Sequence, residues 1–197
     1  MASLNYAMRT ALPELREVAA ENPEIDVRLR VLRFASGAHW HIEEPLPVEE
    51  VEWEDLVADG ETDMGEALRL LGEALSDEAM PGRQLPPVIV MASDGYPTDD
   101  YKAGLAEFLK SNNACAATRL GICIGSDADA EILQEFIGND QLKPLRASNA
   151  SELVQHIKWA TTAPVKATSS PSNDPDPLAP LAREAELQQT PESDIIW

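Results

Sequence analysis

Strand-like and helix-like segments alternate along most of this 197-residue chain. Residues 86–92 form a short, continuously apolar run, which is typical of a strand covered on both faces. A helical pattern at 99–109 follows it, and residues 117–124 form a second apolar run. Strands that alternate with helices of this length predict an α/β fold: a doubly wound, mostly parallel sheet with helices on both faces.

The other elements fit the same architecture. Apolar residues recur at spacings of three and four over 3–20 and 62–78, which predicts amphipathic helices, with Thr62 as the N-cap of the second. Residues 25–35 alternate apolar and arginine side chains, and Ser36-Gly37 then predicts a hairpin turn. The remaining predicted elements are a return strand at 38–42, a helix ending near 137, a short strand at 142–147 and a helix at 150–160.

Composition changes after Thr162. Residues 163–197 contain six prolines among 35 residues, and such a segment buries too little apolar surface to offset chain entropy. We therefore expect one domain over 1–162 and a disordered tail over 163–197. The tail ends in Ile195, Ile196 and Trp197, and tryptophan is a frequent interface anchor. Two interpretations stay open: a peptide that binds a partner, or weak docking of the end onto its own domain.

The net charge of −20 excludes several function classes. A surface this acidic repels nucleic acid and anionic lipid, and it favours cations and basic partner surfaces. No apolar run is long enough to cross a bilayer, and the N-terminal residues show no secretory signal. Cys115 and Cys123 do not make a disulfide scaffold, so we expect a cytoplasmic location.

Two strand-end loops carry a recognisable pattern. One is residues 60–68 (GETDMGEAL), and the other is residues 88–100 (VIVMASDGYPTDD). Together they resemble the von Willebrand factor A (vWA) domain family, and most of all its bacterial tellurium-resistance-type branch, over roughly residues 3–162. In that family the strand-end loops form a metal-ion-dependent adhesion site. In doubly wound sheets generally, ligands bind at the carboxyl ends of the strands.

The resemblance implies that Thr62 and Asp94 bind Mg²⁺, either directly or, for Asp94, through a water. Hard oxygen ligands of this kind are the ones that Mg²⁺ prefers. Each residue also has an ordinary structural interpretation, because Asp-Gly is a common turn and threonine is a common helix cap. Without the paired pattern, we would favour that interpretation for each of them.

The sequence departs from the family at one place. The family's principal ligands lie in an Asp-x-Ser-x-Ser motif at the end of the first strand, and this chain contains no such motif. A central strand is therefore expected to be missing between the strands at 25–35 and 87–92. Three explanations stay open, in this order: a start upstream of Met1, direct pairing of the two flanking strands, or a strand donated by a partner.

The resemblance implies a protein-binding adaptor or scaffold, not an enzyme, in a bacterial stress-response or defence system. Relatives are often encoded beside a protein kinase and a metal-dependent protein phosphatase, which become the expected partners. The alternative is a Mg²⁺-dependent phosphoryl hydrolase that uses Asp94, Asp99 and Asp100. We disfavour it because Asp99 and Asp100 begin a predicted helix and no general base is placed opposite them.

Overall fold

The computed structural model describes residues 1–58, 60–82, 84–169 and 178–189. Helices and strands alternate through these ranges after an initial helix and a hairpin. The elements are α1 (Ala2–Glu21), β1 (Arg28–Ala35), β2 (Gly37–Pro47), α2 (Met64–Ala74), β3 (Val88–Ser93), α3 (Tyr101–Phe108), α4 (Asn112–Ala116), β4 (Thr118–Ile124), α5 (Ala130–Ile137), β5 (Leu145–Ala147), α6 (Ala150–Ser169) and α7 (Ala179–Gln189), with a 3-10 turn at Val48–Glu50.

The strands form two separate sheets. β3, β4 and β5 form a parallel three-stranded sheet in that order, while β1 and β2 form an antiparallel hairpin of their own. In the three-stranded sheet, Ile122 of β4 lies opposite Leu145 of β5. The predicted α/β class with a parallel sheet is confirmed. The proposed direct pairing of the strands at 25–35 and 87–92 is wrong for the described strands, because β1 pairs with β2 alone.

The chain divides into two compact units, each built from separate stretches of sequence. The hairpin unit contains Asp26–Ile89 and Gly95–Arg119, together with Met1. The sheet unit contains Ala2–Ile25, Val90–Asp94 and the chain from Leu120 onward. Within the ranges that the structure describes, no helix is both long and apolar enough to cross a membrane.

The hairpin is longer than its sequence pattern predicts. β2 continues to Pro47, five residues past the expected end, and Val48 N–H donates to the carbonyl of Val27 at 3.0 Å. Glu43 and Glu44 lie in this added part of β2, and both side chains are exposed, so a strand accommodates them. Arg30 lies 3.5 Å above the ring of Trp40 and stabilises the hairpin through a cation–π contact.

Helices α2 and α3 pack at a distance that only glycine permits. A Cβ on Gly104 would overlap the backbone of Gly65, and a Cβ on Gly72 would lie 3.0 Å from the Cα of Phe108. The close approach buries Leu68 and Phe108 completely. Gly65 of α2 therefore faces Gly104 of α3, and Gly72 of α2 faces Phe108 of α3.

The C-terminal region contains more helix than expected. α6 runs through position 162 to Ser169 and buries Ala163, so the predicted disordered tail does not begin at 163. α7 adds a second helix, in which Leu181 and Ala185 are buried. They lie four residues apart, on one face of the helix. Residues 170–177 and 190–197 lie outside the described residues.

Side chains of the sheet unit hold α6 to its neighbours. Lys158 pairs with Glu14 of α1, and Trp159 Nε1 donates to a carboxylate oxygen of Glu184 in α7 at 3.3 Å. Buried His156 places Nε2 2.9 Å from the carbonyl of Arg146 in β5. α6 therefore contacts α1, α7 and β5, the last strand of the sheet.

The two cysteines are free thiols in different environments. Cys123 is buried in β4, and burial raises the pKa of its thiol. Cys115 is exposed, and its Sγ lies 3.1 Å from the carbonyl of Leu109.

We predict that Gly104→Ala lowers the free energy of unfolding by about 2 kcal/mol, the range of a core that is overpacked by one methyl group. The added Cβ meets backbone atoms of Gly65, which side-chain rotation cannot move. Urea denaturation measures the change. The control is Ala106→Ser, an exposed position of the same helix. A stabilisation of about 1 kcal/mol, the gain that helix propensity alone would give, would contradict the close contact.

Candidate functional site

The loop before α2 is fixed by its backbone. Asp63 N–H donates to the carbonyl of Ala35 at 3.0 Å, and Thr98 N–H donates to the carbonyl of Thr62 at 3.0 Å. The helix begins at Met64, and its N-cap residue is Asp63. The prediction that Thr62 is the N-cap is therefore wrong. Its backbone is drawn toward Thr98, because Thr62 N–H also donates to Thr98 Oγ1 at 2.8 Å.

Asp63 connects the hairpin turn to the loop after β3. One carboxylate oxygen accepts from the N–H of Gly37 at 2.7 Å, and the other accepts from the hydroxyl of Thr98 at 2.9 Å. Gly37 has a φ of 82°, in the left-handed region that favours glycine, so this turn presents its N–H to the carboxylate. A single side chain thus holds two loops that are far apart in sequence.

Asp99 supplies the helix cap that Asp63 does not. Its two carboxylate oxygens accept from the N–H groups of Gly65 and Glu66 at 2.9 and 2.8 Å. Both amides belong to the first turn of α2, where backbone donors have no partner within the helix. The negative charge also lies at the positive end of the helix dipole. Asp99 therefore anchors the loop that contains it onto the start of α2.

Asp100 performs the same task for its own helix. Its side chain accepts from the N–H of Ala103 at 3.1 Å at the start of α3. In the sheet unit, Asp129 likewise caps α5 through the N–H groups of Glu131 and Ile132. Two of the three carboxylates in the hydrolase alternative, those of Asp99 and Asp100, thus accept hydrogen bonds from helix amides.

Thr62 lies directly against the loop that follows β3. Its hydroxyl oxygen is 3.2 Å from the position that a Cβ on residue 95 would take, so Gly95 leaves the room for this approach. The next residue, Tyr96, is 64% exposed. We define the loop face as residues 60–62 and 95–98, all of which belong to the hairpin unit. It presents a threonine hydroxyl and an exposed tyrosine.

Asp94 directly follows β3 and is the last residue of the Val90–Asp94 stretch of the sheet unit. Its side chain is exposed, and it directly precedes Gly95 in the chain. Among the residues that the structure describes, no three histidine, cysteine or acidic side chains are grouped so that they could hold a metal ion. Thr62 and Asp94 are two ligand residues, and an Mg²⁺ ion held by them alone would keep water at most of its six positions. These residues by themselves do not fit a complete magnesium site.

Sequence reasoning missed the residues that organise this region. Asp63 and Thr98 bond to each other across 35 positions, and Asp99 reaches Gly65 across 34. Their only local signal is the Thr-Asp pair that occurs in both loops, at 62–63 and 98–99. The three predicted partner-binding residues Ile195, Ile196 and Trp197 lie outside the described residues, and their role stays a prediction.

The sequence matches no protein-family model and no curated protein. It is similar in structure to proximal thread matrix protein 1 (PTMP1) from the mussel byssus. One crystal form gives a TM-score of 0.57 at 16% identity over 80% of this chain and 42% of that one. A second structure gives 0.57 at 17% identity over 80% and 41%. A third, with a zinc-occupied MIDAS motif, gives 0.56 at 15% identity over 80% and 42%.

These similarities show the fold. The chain has a vWA-like α/β fold, as the two loops predicted, and it spans less than half the length of PTMP1. The zinc in the third structure belongs to PTMP1 and occupies its own motif. The closer resemblance to the tellurium-resistance-type branch stays a prediction.

We predict that Asp99→Asn lowers the free energy of unfolding by about 1 kcal/mol, as loss of a helix cap does. An amide oxygen can replace only part of the bidentate contact with the N–H groups of Gly65 and Glu66. Chemical denaturation measures the loss. The control is Glu61→Gln, which removes the same charge from an exposed position in the loop face. If both variants lowered the free energy of unfolding equally, the loss of a charge, and not the loss of the helix cap, would explain the effect of Asp99→Asn.

We predict that this chain binds Mg²⁺ weakly, with no saturation at micromolar concentrations. Two oxygen ligands compete poorly with the hydration shell of the ion. Isothermal calorimetry of the full chain tests this, with Asp94→Asn as the matched variant. A micromolar affinity for Mg²⁺ that is lost in Asp94→Asn would contradict the prediction and would support the implied adhesion site.

Proposed function

We propose that this chain is a protein-binding module, an adaptor or scaffold that contacts its partner through the loop face. The observation that carries the proposal is the Asp63 contact, which bonds Gly37 on one side and Thr98 on the other. A loop that is fixed before binding loses little conformational entropy when a partner docks. Here the fixed loop presents the exposed ring of Tyr96, and tyrosine is enriched among residues that dominate interface energies.

The charge of the chain favours a basic partner surface. With a net charge of −20, long-range attraction accelerates encounter with a positively charged protein and disfavours acidic competitors. The exposed carboxylate of Asp94, next to the loop face in the chain, offers a local contact for a lysine or arginine. An acidic loop can thus bind a partner without a bridging cation.

The proposed cellular role and partners rest on the resemblance of residues 60–68 and 88–100 to the tellurium-resistance-type branch. We propose a cytoplasmic role in a bacterial stress-response or defence phospho-signalling system. The proposed partners are a protein kinase and a metal-dependent protein phosphatase encoded beside this chain. The C-terminal residues Ile195, Ile196 and Trp197 are proposed as a second, peptide-like contact. Mg²⁺ would join the site only with ligands beyond Thr62 and Asp94.

The proposed module is not an enzyme. Support comes from Asp99 and Asp100, whose oxygens accept bonds from helix amides, and using them for metal or proton transfer would remove those caps. The rival function is the Mg²⁺-dependent phosphoryl hydrolase. A phosphatase assay of the purified chain with Mg²⁺ and with Mn²⁺ separates the two, since turnover lost in Asp94→Asn would favour the rival.

We predict that Tyr96→Ala weakens capture of the neighbouring-gene kinase or phosphatase by about tenfold, equivalent to 1.4 kcal/mol. The ring lies on a fixed loop, and truncation removes its contact area without disturbing the core. Surface plasmon resonance with purified proteins measures the affinity. The control is Tyr6→Ala. Tyr6 belongs to α1, is 59% exposed, and is far from the loop face in the sequence. Equal affinities for both variants would place the binding surface elsewhere.

A further inference from the structure

Helix α7 covers a surface of the sheet unit that is made by α6 and β5. The side chains of Leu181, Ala182 and Ala185 are buried, whereas Leu187 is 71% exposed. One face of the helix is therefore packed and the opposite face lies in solvent. This is how an amphipathic helix lies in an apolar groove.

The surface under α7 combines apolar side chains with a hydrogen-bond donor. Trp159 of α6 is buried, and β5, which also contacts α7, contains the buried side chains of Leu145 and Ala147. Trp159 Nε1 donates to a carboxylate oxygen of Glu184 in α7 at 3.3 Å. A buried indole N–H needs an acceptor, so a helix that took the place of α7 would have to offer one at the same position.

α7 depends on this surface for its own stability. It has 11 residues, and a helix shorter than about 12 residues is marginal in water without tertiary contacts. Its buried side chains are one leucine and two alanines, which remove little apolar area from water. We therefore expect α7 to be among the least stable elements of the sheet unit, those that open locally before the rest unfolds.

We propose that the surface of α6 and β5 under α7 is a docking surface for an amphipathic helix of a partner protein, and that α7 occupies it as an internal competitor. The sequence of α7 defines the chemistry of the partner helix: leucine followed by alanine, then a carboxylate and a second alanine three and four residues after the leucine. The leucine fills the groove, the alanines allow close approach, and the carboxylate accepts from Trp159.

A partner helix can exceed α7 as a ligand in two respects, length and charge. A longer helix is more stable by itself, so less of its binding energy is spent on ordering it. The net charge of −20 favours basic residues on the face that stays in solvent, whereas α7 carries two glutamates and one arginine. The α7 of a second copy has neither advantage, and it competes with a helix that is tethered beside the groove.

The inference goes beyond the proposed function and does not depend on it, because the groove belongs to the sheet unit and the loop face to the hairpin unit. A partner helix and α7 need the same groove, so the partner binds only molecules whose α7 has left it. The apparent affinity is then lowered in proportion to the fraction of open molecules. α7 thus acts as an autoinhibitory contact that weak ligands do not displace.

Binding of a labelled synthetic peptide, residues 178–189, to the full chain tests the proposal by fluorescence polarisation. Leu181→Asp in the chain buries a charge on the packed face of α7 and releases it, so this variant should bind the peptide at least about tenfold more tightly than the native chain does. The matched control Leu187→Asp changes the exposed side of the same helix and should bind like the native chain. Adding Trp159→Phe to Leu181→Asp removes the indole donor and should weaken binding about tenfold.

A lengthened peptide tests the chemistry of the partner. The same sequence followed by ten alanine and lysine residues forms a longer, basic helix, and it should bind the native chain more tightly than the short peptide does. Its control carries aspartate in place of the leucine that corresponds to Leu181. If the control binds the native chain equally well, charge alone attracts the peptide and the groove does not select a helix.

Hydrogen exchange of the native chain gives a test that needs no variant. Amides of α7 should exchange at least about tenfold faster than those of β4, because α7 opens locally. Equal protection would overturn the proposal, since α7 would then leave the surface only when the whole unit unfolds. Equal peptide affinity of the native chain and Leu181→Asp would also overturn it. A dimer that Leu181→Asp abolishes in size-exclusion chromatography would assign the groove to α7 of a second copy. None of these measurements involves Tyr96, so their failure leaves the loop-face proposal standing.

Discussion

The hydrogen bonds of two carboxylates, Asp63 and Asp99, determine the geometry of the hairpin unit. Asp63 bonds the hairpin turn and the hydroxyl of Thr98, while Asp99 bonds the first turn of α2. Hydrogen bonds with an ionised acceptor are roughly twice as strong as neutral ones, so four such bonds fix three segments together. The loop face takes its shape from these contacts, since Thr62 and Gly95 lie on segments that they hold.

These contacts show how acidic side chains in the loops of this chain are held by backbone donors. Asp63, Asp99, Asp100 and Asp129 all accept from backbone amides, and the amides at helix starts carry partial positive charge. A carboxylate oxygen that holds a helix start is a poor choice for a metal ligand, because coordination would leave the amide without a partner. Asp63, Asp99 and Asp100, which lie near the implied ligands Thr62 and Asp94 in sequence, are thus bound by donors of the polypeptide itself.

The parallel sheet was predictable from the sequence because each strand carries its own signal. The apolar runs at 86–92 and 117–124 gave β3 and β4 to within two residues. The failures have a different origin. Thr62 is displaced as N-cap because Asp99 and Thr98, more than 30 positions away, bond to that region. The helix predicted at 150–160 continues to Ser169, although the composition of the chain changes after Thr162.

β3 lies at the end of its sheet, but its continuously apolar composition is typical of a strand that is buried on both faces. An apolar strand beside a missing neighbour was expected from the absent motif, and direct pairing with β1 does not supply that neighbour. Backbone pairing at an open edge depends little on the sequence of the added strand, so alternate side chains must provide selectivity.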